Sequence, residues 1–63
     1  MLKNEDKARI YDELLRESDR LQRTNSKLKA EYVFNIPPQI QSQIDENERK
    51  IKELVTKLEN LFR

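Results

Sequence analysis

Ser18, Ser26 and Ser42 are the candidate nucleophiles of this 63-residue chain, and none has an imidazole to activate it, because the sequence contains no His. Cys is also absent, which removes thiolate catalysis and thiolate or imidazole metal sites. Without glycine there is no nucleophile elbow and no phosphate-cradling loop. The carboxylate pairs Glu5–Asp6 and Asp45–Glu46 are adjacent in sequence, so on a helix each pair points to different faces. We therefore expect no enzyme, no cofactor and no metal. One chemical capacity remains. Arg16, Arg20, Arg23 and Lys27, with Lys29 close by, form a basic stripe that can track phosphates. It carries no interleaved aromatic for base stacking, and Arg16 and Arg23 each follow an acid by four residues. A solvated helix face is the preferred reading of the stripe, and a nucleic-acid-binding hairpin dimer is the alternative.

The elements that carry these side chains are helical. The chain is 40% charged and 35% hydrophobic, with 13 bases against 12 acids, so bulk charge selects neither nucleic acid nor membrane. No run of 18 apolar residues occurs and residues 1–6 are mostly polar, which predicts neither a transmembrane span nor a secretory leader. A cytoplasmic protein is the default expectation. Only Tyr32-Val33-Phe34-Asn35-Ile36-Pro37-Pro38 interrupts the helical composition: Pro37 pushes Ile36 out of the helical region, and Pro38 suits the first turn of a new helix. Helices are predicted over about 3–33 and 38–62, joined by a connection at 33–39 within a single unit spanning 1–63.

Both arms repeat every seven residues. Leu14, Leu21 and Leu28 occupy heptad position d of the first arm, with Tyr11, Ser18, Asn25 and Tyr32 at a. In the second arm Ile44, Ile51 and Leu58 stand at a, with Ile40, Asn47, Leu54 and Leu61 at d. Only Ser18, Asn25 and Asn47 are polar among these. Acid-before-base pairs at i,i+4 run along both arms: Glu5–Arg9, Asp12–Arg16, Asp19–Arg23, Asp45–Arg49, Glu46–Lys50, Glu48–Lys52, Glu53–Lys57 and Glu59–Arg63. Each is worth roughly 0.2–0.5 kcal/mol to a helix.

Folding the chain about Ile36 pairs residues whose numbers sum to 72, and every layer then joins one a to one d. The expected fold is all-α, an antiparallel two-helix coiled-coil hairpin that dimerises into a four-helix bundle. Asn25 and Asn47 fall in one layer, where two facing amides can set the register. At the open end, position e brings Leu15 beside Val55 and Ala8 beside Phe62, with Ile10 nearby; this apolar stripe is the expected self-association surface. At the other end, Tyr32, Val33, Phe34 and Ile36 crowd apolar residues into a tip that hairpins normally keep polar. Either Phe34 and Ile36 fold back over the last layer, or the tip docks into a larger protein.

The leucine heptads with Asn25 at an a position resemble the basic-zipper transcription factors. In that family a strongly basic segment precedes the zipper, whereas here Asn4, Glu5, Asp6, Asp12 and Glu13 dilute Lys3, Lys7 and Arg9, so the resemblance fails at the residues that would bind DNA and assigns no family. As architecture, a dimer of hairpins is similar to the Rop-type RNA-binding bundle. The function expected from the residues is a non-catalytic protein–protein interaction module, an adaptor, scaffold piece or stoichiometric regulator that acts as a homodimer. A fragment of a longer coiled coil is the remaining alternative.

Overall fold

The computed structural model describes residues 3–63, and they form two helices, α1 (Asn4–Glu31) and α2 (Pro38–Leu61). The helices pack against each other as an antiparallel hairpin 48 Å long and about 14 Å across. Its Cα radius of gyration is 14.7 Å. A compact domain of this length has about 11 Å, so the molecule is a rod. Among the described residues no helix is long and apolar enough to cross a membrane.

The helix ends lie inside the predicted bounds. α1 stops at Glu31, two residues early, because Tyr32 leaves the helical region at φ −114°, ψ 56° while its N–H still donates to the Leu28 carbonyl at 3.1 Å. No described residue has a positive φ. A chain without glycine thus ends its first helix at a residue of negative φ rather than by a left-handed cap. The connection is 32–37, not 33–39. Pro37, at φ −59° and ψ 148°, supplies the carbonyl that accepts the Gln41 N–H at 2.9 Å, and Pro38 opens α2 where its missing N–H costs nothing. Neither helix start has a side-chain cap. Packing, not capping, holds these helices in place.

The core is thin. Among the described residues Leu21 and Ile44 are the only buried apolar side chains, and Ser18 and Asn25 share the interior with them. The other a and d residues of both arms are half-buried, except Tyr11, which is exposed. The accessible surface is 5270 Å², against about 4300 Å² for a compact monomer of 7.6 kDa.

Candidate functional site

Four features marked by residue type are distributed along the length of the hairpin. The polar layer lies in the half of the rod nearer the connection. Asn47 Nδ2 donates to Asn25 Oδ1 at 2.9 Å, and Asn25 Nδ2 donates across the seam to the Ile44 carbonyl at 3.1 Å. Asn25 is buried and Asn47 half-buried. The pair is therefore a closed chain of two bonds running from one amide through the other to a helix backbone. The second bond was not legible in the sequence. It uses the spare lone pair of a carbonyl, which every helical residue offers and no side-chain pattern marks. Ser18, also buried, accepts from Gln22 Nε2 at 3.2 Å. No buried side-chain polar atom among the described residues lacks a partner.

The apolar flank lies towards the open end. Leu15 is 46% exposed, Val55 38% and Phe62 60%, and Ala8 is exposed beside them. Tyr11, itself 41% exposed, meets Phe62 ring to ring, with centroids 5.8 Å apart and planes tilted by 59°. That contact joins an a residue to an e residue, so the seam spills onto this flank at the open end. Ile10 does not belong to the stripe. It is half-buried, and at heptad position g it stands on the opposite flank from Ala8 and Leu15. Closer to the connection the e flank turns polar, where Lys29 Nζ bonds Glu48 Oε1 across the seam at 3.3 Å.

At the tip the four apolar residues separate into two kinds. Tyr32 and Ile36 are half-buried, whereas Val33 is 71% exposed and Phe34 wholly so. Phe34 does not fold back over the seam. Val33 and Phe34 both face water.

The basic stripe is largely engaged. Arg16 pairs with Asp12 at 3.1 Å and Arg23 with Asp19 at 3.0 Å, and Arg20 grips Glu17 through two nitrogens. Lys27 alone of the four has no ion pair among the described residues. Elsewhere the bases choose differently from the i,i+4 pattern: Arg9 takes Asp6, and Arg49 takes Glu46 and Glu53 rather than Asp45. Acids at i−3, i−4 and i+4 are all within reach of a long guanidinium, and sequence spacing does not choose among them.

The hydrogen bond from Arg20 holds the Glu17 carboxyl below its ordinary value, and Arg49 does the same to Glu46. Each arginine is raised in turn by its carboxylate. A lowered carboxyl adds stability that is present above the ordinary carboxylate range and is lost as pH falls through the lowered value. The raised arginines contribute at every pH below the ordinary arginine value. These groups are solvated, so the effect is small. Replacing Glu17 by Gln should lower the melting temperature by only about 1–2 °C at pH 7. The difference should shrink in acid, as pH falls through the lowered value and Glu17 loses its charge. Thermal melts followed by circular dichroism at pH 7 and in acid check this; an undiminished difference in acid would mean that Glu17 acts other than by its charge.

No family model matches the chain, and no match was found among curated proteins or solved structures.

Proposed function

We propose that this chain is a non-catalytic protein–protein interaction module that acts as a hairpin homodimer, paired through the e flank of its open end into a four-helix bundle. One observation carries the reading. Leu15, Val55 and Phe62 are exposed on a single flank of a hairpin that, among its described residues, buries only two apolar side chains. A domain with so small a core usually draws stability from a disulfide, a metal or a partner. The first is closed to a chain without cysteine. The same flank is self-complementary, as a two-fold interface requires.

The tip is the second contact surface in this reading. Val33 and Phe34 are displayed 48 Å from the open end, where pairing of the flanks leaves them free to enter an apolar pocket on a larger protein. The phosphate-tracking alternative is weakened because Arg16, Arg20 and Arg23 are already paired with acids of their own helix.

Sedimentation at micromolar concentration tests the reading. Wild type should run at twice 7.6 kDa, and Leu15→Lys with Val55→Glu should run as a monomer of reduced helicity. Val33→Ser with Phe34→Ser should stay dimeric and lose capture of the larger protein. A fully helical wild-type monomer would remove the dimer, and unchanged capture would remove the tip.

A further inference from the structure

We infer that the second copy docks tip beside tip, α1 of each hairpin against α2 of the other, so that the two exposed Phe34 side chains emerge together at one end of the bundle. The inference rests on the homodimer proposed above and goes on to fix its orientation. Area comes first. A standard stable interface removes roughly 800 Å² of accessible surface from each partner, which takes most of a flank that measures 48 by 14 Å. An overlap confined to the open ends would cover less than half of that. Two full-length dockings remain: tip beside tip, or tip against open end.

Position e separates them. Tip beside tip, Leu15 meets the second copy's Val55, Ala8 meets its Phe62, and Gln22 meets its Glu48. These are two branched apolar side chains, a methyl under a ring, and an amide donor against a carboxylate. In the reversed docking Leu15 meets Gln22 and Val55 meets Glu48, which buries an amide and a carboxylate against aliphatic surface.

The shape of α1 points the same way. Leu15, Ser18, Asp19 and Gln22, with Arg16 on the rim, enclose a shallow depression on this flank. Their spacing of i, i+3, i+4 and i+7 is that of a hole awaiting a knob, and the small Ser18 deepens it. Tip beside tip, the residue that stands over the hole is the second copy's Lys52. Its methylene stem can lie on Leu15 and Ser18 while its ammonium reaches Asp19. The reversed docking sets hole over hole, Asp19 over Asp19 and Lys52 over Lys52. Each docking also brings Glu59 to another acid, Asp12 in the first and Asp45 in the second, so those contacts do not discriminate.

Because the chain contains no Cys, Asn35→Cys at the exposed tip gives a single site for a nitroxide label. Helices in a bundle lie 8–10 Å apart, so pulsed dipolar measurement on the labelled dimer should give about 10–30 Å between labels once their arms are added. A separation near the 48 Å length of the hairpin, or beyond it, overturns the docking and leaves the dimer standing. A monomer in sedimentation with no dipolar signal removes the dimer, and the docking with it. As a second readout, Asp19→Lys and Lys52→Asp should each raise the dimer dissociation constant about 3- to 10-fold. Combined in one chain they should restore it. A double variant no better than either single one also overturns the docking.

Discussion

Ile44→Ala should remove a large part of the protein's stability. Ile44 is 1% exposed, the largest fully buried side chain in the described residues, and its backbone carbonyl receives the Asn25 amide. Truncating a buried isoleucine costs about 2–5 kcal/mol. The entire stability expected of 63 residues is about 3–9 kcal/mol. The loss is therefore comparable with the whole. For a domain of this size it should lower the melting temperature by at least about 10 °C. Leu61→Ala, at a half-buried position near the open end, should cost clearly less. Melts of the two variants beside wild type check the ordering. If Ile44→Ala melted within a few degrees of wild type, the stability of the hairpin would have to reside elsewhere.

The second large effect concerns the Asn25–Asn47 layer, which we propose sets the register. Asn47→Leu alone leaves Asn25 Oδ1 buried without its donor, at a cost of about 1–3 kcal/mol. Replacing both residues by Leu removes the stranded acceptor and adds apolar burial, so the double variant should melt above wild type. The gain should come with a loss of uniqueness. With an aliphatic layer in place of the amides, a slip by one heptad no longer buries a polar group against an aliphatic one, and several oligomers should appear in sedimentation. A double-mutant cycle on the melts gives the coupling energy. A double Leu variant that remains one sharp species without added stability would rule out the register role.

The heptads carried most of the architecture into view before any coordinates. Leu14, Leu21 and Leu28 on one arm and Ile44, Ile51 and Leu58 on the other define two stripes, and the Pro37-Pro38 break leaves one way to fold them together. Helix ends were less legible. Tyr32 and Val33 have composition compatible with one further half-turn, and only the approach to the prolines decides against it. The tip was legible as apolar but not as divided. Whether Phe34 or Ile36 turns inward depends on backbone angles in a stretch that has no periodic pattern to read. Ile10 was misplaced for a simpler reason: proximity in sequence to Ala8 hid a rotation of about 200° around the helix. The Asn25 bond to the Ile44 carbonyl and the depression around Ser18 come from side-chain depth, which heptad letters do not encode.

The antiparallel seam also fixes how the rod bears load. Tyr11 and Phe62 meet near one end, and the 32–37 connection closes the other. A force that draws the two open arms apart therefore acts on one layer at a time, beginning with that aromatic contact. Layers then part in sequence, each resisting alone, until the pull reaches Leu21 and Ile44 and the bonded amides between Asn25 and Asn47. A push along the axis is shared by both helices over their whole length. The hairpin is thus mechanically soft to peeling at its open end and stiff to compression towards its tip, and pairing of the open-end flanks would clamp the arms where peeling starts.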